Sequence, residues 1–372
     1  MSITYIPPRV PSVEGFLKED GTVPLSGIWD TGNVLIKGPS AIYTSSTAPL
    51  SPYTGMLWND TSIASRKMIR SWSGSAWGVV SGYETASRTI SLVHDHGALL
   101  TNTYISNVWN NEIGKNGSAT ITIEIDNKTH KNFSAGAAVD AGGGLVKLPI
   151  ASGHGFLAGE RVCIDGTVNY DGVFVIDSVE ETYIIIPATY VSETIPADAV
   201  IRVVIENGIF FGVNTNSITV TAKGYSSATR TQKQRVVIYN SVSYAHPYFA
   251  SLLRETHVNG IKVHAVNSIG IQVQSCNSIF FESCAVSGNI SKAAISLSQG
   301  GSGAVRYLSI KNAAQGILAS YGTSVVSFEC RSIANVKYGL YAFWGGTIIK
   351  ASTNQPTGST ANEFTTYGGL IR

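Results

Sequence analysis

The sequence predicts an all-β chain that ends in a right-handed parallel β-helix, with small β modules before it and one small β-barrel or sandwich inserted. Three observations carry this expectation. Gly supplies 38 of the 372 residues while charged residues supply only 13%, against about 25% in ordinary globular domains. Such a composition suits many strands and turns rather than helices. Next, Gly270-Ile271-Gln272-Val273, Ala294-Ile295-Ser296-Leu297, Gly316-Ile317-Leu318-Ala319 and Gly339-Leu340-Tyr341-Ala342 recur at spacings of 24, 22 and 23. A period of 20–30 with strands and Gly or Asn corners is the mark of a solenoid. Its length and irregularity favour the right-handed β-helix over a strict hexapeptide repeat. Finally, Thr120-Ile121-Thr122-Ile123-Glu124-Ile125 alternates as a half-buried strand does.

In chain order, residues 1–50 are rich in Pro, Gly, Ser and Thr. Ile28-Trp29-Asp30 and Val34-Leu35-Ile36 read there as short strands between Gly turns. Residues 51–81 hold Trp58, Trp72 and Trp77, which suit the core of a tiny β-meander. In the 82–141 segment, the rows Leu100, Tyr104, Val108 and Ile105, Trp109, Ile113 predict an amphipathic helix over 94–117, stopped by Gly114 and Gly117. Such a helix would cap the open end of the coil stack, whose first coil follows. Residues 142–206 alternate short strands with Gly turns, as in Asn169-Tyr170-Asp171-Gly172, and form the expected insert. From 207 to 372 the chain is β-helix. Ile279–Phe281, Tyr307–Ile310, Val325–Phe328 and Thr347–Ile349 provide the second strand of each coil, and 362–372 the last coil.

Charge is uneven. From Ile201 onward there are 14 Lys+Arg and 5 Glu, and before it 12 basic and 19 acidic residues. A basic C-terminal half fits an anionic partner such as a phosphorylated or acidic bacterial glycan, but its basic residues are scattered, as on solvated turns, and the second reading is preferred. Cys163, Cys276, Cys284 and Cys330 form no CxxC pair and are expected as buried free thiols. Residues 1–15 have no apolar core of a signal peptide, and no stretch has the length of a membrane span.

Two N-terminal motifs carry a family resemblance. Asp20-Gly21-Thr22-Val23-Pro24-Leu25-Ser26-Gly27, followed by Asp30 and Gly32-Asn33, is similar to an element of bacteriophage tail fibres. Gly55-Met56-Leu57-Trp58-Asn59-Asp60-Thr61 with Trp72 and Gly74-Ser75-Ala76-Trp77 resembles a small module near the N-termini of such fibres. With the β-helix, the chain resembles phage tail-fibre and tailspike proteins. The resemblance implies a homotrimer on the virion; the free thiols and the lack of a signal peptide fit synthesis in the host cytoplasm, and the scarcity of carboxylates in the β-helix argues for a non-catalytic role. Trp29, Trp58, Trp72 and Trp77 would belong to the module that attaches it to other tail or baseplate proteins. The distal part would meet a bacterial surface glycan or protein.

Catalysis is the alternative, because tailspikes can be polysaccharide depolymerases; a pure fibre connector is a third. Glycoside hydrolysis needs two flanking carboxylates, and the last Asp is Asp198. Glu282 and Glu329, 47 positions apart, are the weak candidates, about two coils or 10 Å along a stack. His94-Asp95-His96 has metal-ligand residue types, but Asp95 fits a helix cap better. No metal, cofactor, nucleic-acid partner or membrane insertion is expected. Tyr338, Tyr341, Phe343 and Trp344 are candidates for the trimer seam first and a receptor contact second. Alternation puts Leu340, Ala342 and Trp344 on one face and Tyr341 and Phe343 on the other.

Overall fold

The computed structural model describes residues 29–30, 35–36, 42–63, 66–109, 113, 116–212, 216–226, 235–240, 247–250 and 255–372, the first two pairs as backbone only. It divides into two compact units, Met1–Gly82 and Tyr83–Arg372. In the first, Trp29–Asp30 pairs antiparallel with Leu35–Ile36; the rest of the expected 1–41 organisation lies outside the described residues. Tyr43–Ser45 runs parallel to Leu57–Ile63, which pairs antiparallel with Arg66–Trp72. Trp77–Glu84, whose last two residues open the second unit, lies beside Arg66–Trp72.

The second unit is a parallel β-helix with three strand faces. Its first face stacks Arg88–His94, Thr120–Asn127, Ser217–Ala222, Thr256–Asn259, 279–282, 302–306, Ser324–Phe328, Thr347–Lys350 and Leu370–Ile371. The second stacks Ile205–Glu206, Val236–Asn240, Ile261–Val266, 285–289, 309–313 and 331–336. The third stacks Phe210–Phe211, Tyr248–Ala250, 271–274, 295–297, 315–320, 338–343 and Ala361–Thr366. Ile271, Ile295, Ile317 and Leu340 are in register on the third face. The spacings read from the sequence are therefore those of successive coils.

Alternate residues point inward, because side chains on a strand alternate between its faces. Thr120–Asn127, for example, buries Ile121, Ile123 and Ile125. Inside the stack Trp109 meets Phe211 edge-on at 4.8 Å, Phe211 stacks on Phe249 at 4.5 Å, and Phe249 meets Phe281 at 5.8 Å. Corners turn on left-handed residues. Ser283, Tyr307 and Glu329 make the first-to-second corners, and Asn267, Asn312 and Asn335 the second-to-third. Gln299, Tyr321, Trp344 and Tyr367, each followed by a Gly of positive φ, make the third-to-first. Asn tolerates this conformation best among non-Gly residues, and Asn335 Nδ2 donates to Asn312 Oδ1 at 2.9 Å. Asn312→Ala should cost about 2 kcal/mol, from left-handed strain and a lost hydrogen bond, measured by urea unfolding.

Three expectations need correction. The helix is only Asn102–Asn107, capped by the Thr101 hydroxyl, which accepts from Tyr104 N–H at 3.1 Å. Residues 88–94 are instead the first strand of the stack, and Asp95 accepts from the His96 N–H rather than capping the helix. Leu100, Ile105, Val108, Trp109 and Ile113 are all buried in the solenoid core, but Tyr104 is 54% exposed. On the first face, the strand in register with 279–282 and Ser324–Phe328 is 302–306, not Tyr307–Ile310, which crosses the corner onto the second face.

Between Thr120–Asn127 and Ile205–Glu206 the chain leaves the stack. Lys131–Asn132, Val200–Val203, Arg161–Asp165 and Gly172–Val175 form one antiparallel sheet. Val139–Gly142, Leu145–Pro149, Tyr183–Pro187 and Ser178–Glu180 form another. They share a core that includes Val146, Leu148, Ile164, Ile184, Ile186 and Ile201. This pairing starts at Lys131, upstream of the expected start of the insert. All four cysteines are buried and unbridged.

Candidate functional site

The candidate aromatic residues form one outward surface on the third face. Tyr341 lies in register with Phe364, 5.2 Å away ring to ring, and Tyr338 is 5.0 Å from Phe364. Phe343 follows at 5.5 Å from Tyr341, and Trp344 at 4.7 Å from Phe343. Trp344 does not share the inward face of Leu340 and Ala342. The chain turns at its left-handed backbone (φ 45°), which breaks the alternation and leaves its side chain 46% exposed. Tyr321 and Tyr367, at the same corner of the neighbouring coils, extend the surface and are 50% and 74% exposed. Sequence reading missed this pair. The recurring Tyr321-Gly322, Trp344-Gly345 and Tyr367-Gly368 dipeptides were the available signal.

In the first unit Trp58 is buried, donates Nε1–H to Ser45 O at 3.0 Å, and meets Trp77 edge-on at 5.4 Å. Trp72 lies 5.4 Å from Trp77. Arg70 stands over Trp58 and binds the buried Asp60 at 3.1 Å. Burial pushes the Asp60 carboxyl up, but hydrogen bonds from Ser62 and the Arg70 charge outweigh it and hold it below the ordinary value. The side chain of Trp29 lies outside the described residues.

Glu282 and Glu329 do not occupy equivalent positions. Glu282 is in register with Arg306 and so with Phe328, whereas Glu329 is the next residue, at the corner. The Glu329 carboxylate accepts from Asn354 Nδ2 at 2.5 Å. The three residues of His94-Asp95-His96 also diverge. His94 is buried with Nδ1 accepting from Leu100 N–H at 2.9 Å, and His96 Nδ1 lies 3.1 Å from both Glu160 oxygens.

A groove of about 990 Å³ lies on the second face beside the inserted sheets. Its floor follows the outward column Lys262–Ala285–Ser309–Arg331 and, beside it, the pair His264–Ser287, with Lys311 on the next coil. The middle residues Ala285, Ser287 and Ser309 are small, so the surface is depressed between the longer side chains at either end. Asp165 of the insert closes one end by accepting from both Arg202 and Lys262. Burial would raise the Asp165 carboxyl, but the two cations outweigh it and hold it at about 2. No local pattern signals this groove, because Asp165 reaches it from a separate segment.

No family model matches the chain, and no curated protein does. Among solved structures the chain is similar to the tailspike protein gp49 from Pseudomonas phage LKA1, at 11% identity and a TM-score of 0.25 over 74% of this chain. It is also similar to the tailspike gp61 of Pseudomonas phage phi297, at 9% identity and a TM-score of 0.20 over 78% of this chain. The matches span 53% and 63% of those two proteins. At these scores the assignment of a parallel β-helix rests on the strand register of the chain itself.

Proposed function

We propose that this chain is a tail-fibre or tailspike subunit of a phage virion, adhesive rather than catalytic, which packs against identical copies through its aromatic third face. One observation carries the reading: Tyr321, Trp344 and Tyr367 stand exposed in a column beside Tyr341, Phe343 and Phe364. Apolar surface concentrated in this way is a partner contact far more often than bare surface. The stacked backbone beneath it is stiff, so it presents the rings at fixed spacing along a seam between copies. The N-terminal motifs support attachment to another tail or baseplate component. The different register positions of Glu282 and Glu329 favour adhesion over glycan cleavage.

The test is the mass of the purified full chain by light scattering, with host-cell binding on the same sample. The wild type should be a trimer that binds cells. Tyr321→Ala with Trp344→Ala should yield monomers with unchanged circular dichroism. If the double variant stays trimeric but loses cell binding, the rings are the receptor contact instead. If it changes neither, the aromatic surface has no role in assembly or adhesion.

A further inference from the structure

We infer that the groove on the second face is a binding site for an acidic polysaccharide. The inference rests on the host-facing reading only for the source of the polymer; the site itself is argued from its shape and charge. The groove extends from Lys262 to Gln355, about four coil steps or roughly 19 Å at the spacing of stacked strands. A trough of that length along the fibre suits an extended polymer better than a compact metabolite. Its floor carries the hydroxyls of Ser287 and Ser309, and its edges carry the amides of Asn289, Asn312 and Asn354. Side chains that both donate and accept match the hydroxyls of a sugar chain.

The charges in the groove fix the sign of the ligand. Each carboxylate there already has a partner. Asp165 is neutralised by Arg202 and Lys262, Asp171 accepts the N–H and hydroxyl of Thr167, and Glu329 accepts from Asn354. Among the described residues, Lys311 and Arg331 lie within salt-bridge distance of no carboxylate; Arg331 reaches only the Ser309 hydroxyl, at 3.4 Å. They stand on adjacent coils beside the small floor residues. Two uncommitted cations over a hydrogen-bonding floor select carboxylate or phosphate groups borne on a polyol. Among the described residues only the rings of Tyr307 and His264 line the groove, and His264 is already stacked on Tyr239 and 3.2 Å from the Ser287 hydroxyl, which leaves no row of stacking platforms of the kind single-stranded nucleic acid uses.

The experiment is calorimetric titration of the full chain with polygalacturonate, poly(glycerol phosphate), neutral dextran and a single-stranded oligonucleotide. At least one acidic polymer should bind, tenfold or more tighter than dextran, and more weakly in 0.5 M salt. The two acidic probes separate a carboxylate from a phosphate ligand. Lys311→Ala with Arg331→Ala should weaken that binding at least tenfold. Ser287→Tyr, which fills the floor, should abolish it with the thermal melt as a folding control. The inference is overturned if neither acidic polymer binds, if the double variant binds like wild type, or if the oligonucleotide binds more tightly than both. The same samples are weighed by light scattering. A trimer that ignores the polymers sinks this site alone, and a monomer that binds them sinks the aromatic seam alone.

Discussion

Gly301→Ala is expected to lower the unfolding free energy by about 4 kcal/mol or more, while Gly300→Ala, one residue earlier, costs about 1 kcal/mol. Both glycines have positive φ, 75° at Gly300 and 100° at Gly301. An L-residue pays for a left-handed conformation at either site. The difference is space. A Cβ on Gly300 meets nothing within 4 Å, whereas one on Gly301 would lie 1.9 Å from the carbonyl oxygen of Cys276. That oxygen belongs to the backbone of the preceding coil, and Cys276 is in register with Gly301. Relief therefore requires separating two hydrogen-bonded coils rather than rotating a side chain. Urea unfolding of the two variants checks this. Equal midpoints would mean that the coils do not approach so closely at this corner.

The same crowding explains which parts of the solenoid could be read beforehand. The third face was legible because each coil places an aliphatic residue inside, Ile271, Ile295, Ile317 and Leu340, just after a Gly or Ala. Those small residues are demanded by the stack: a Cβ on Gly316 would meet Gly339 O at 2.3 Å. The first face was less legible because its strand 302–306 contains Gly303 and Ala304. Small residues fit there for a similar reason, with Ile279 O 2.7 Å from a Cβ on Gly303. The more strand-like Tyr307–Ile310 drew the reading across the corner. Periodicity over 94–117 identified the buried residues but overstated the helix, since a strand, a turn and one short helix bury the same apolar set. Alternation separated Tyr341 and Phe343 from Leu340 and Ala342, but it grouped Trp344 with the inward pair, because alternation ends where φ changes sign. The groove depends on Asp165 meeting Lys262, a pairing between distant segments that no periodic pattern encodes.

Acidification from pH 7 to pH 4 is expected to destabilise the second unit strongly, with His94 alone contributing about 3 kcal/mol. Burial holds the His94 imidazole down to about 4, against an ordinary 6.5. Geometry agrees, since Nδ1 accepts the Leu100 N–H and protonation would remove that acceptor. Burial also lowers His130 and His264 to about 4, assisted by Arg202 and Arg235 at the first and by Lys262 and Lys311 at the second. Above pH 6.5 these rings are neutral in both folded and unfolded chains and contribute no pH dependence. As pH falls from 6.5 towards 4, the unfolded chain takes up protons that the folded chain does not, so stability falls. Asp165 acts in a separate window. Its folded value of about 2 lies below the ordinary 3.8, so its contribution is intact above pH 4 and lost as pH falls towards 2. Urea midpoints across pH 7 to 4 should therefore decline before Asp165 titrates. In His94→Asn, whose amide oxygen can still accept from Leu100 N–H, the decline should be shallower by about 3 kcal/mol. A slope unchanged from wild type would show that His94 is not held neutral by the fold. The loss would then have to come from the other two histidines, which border the insert and the groove rather than the turn before the helix.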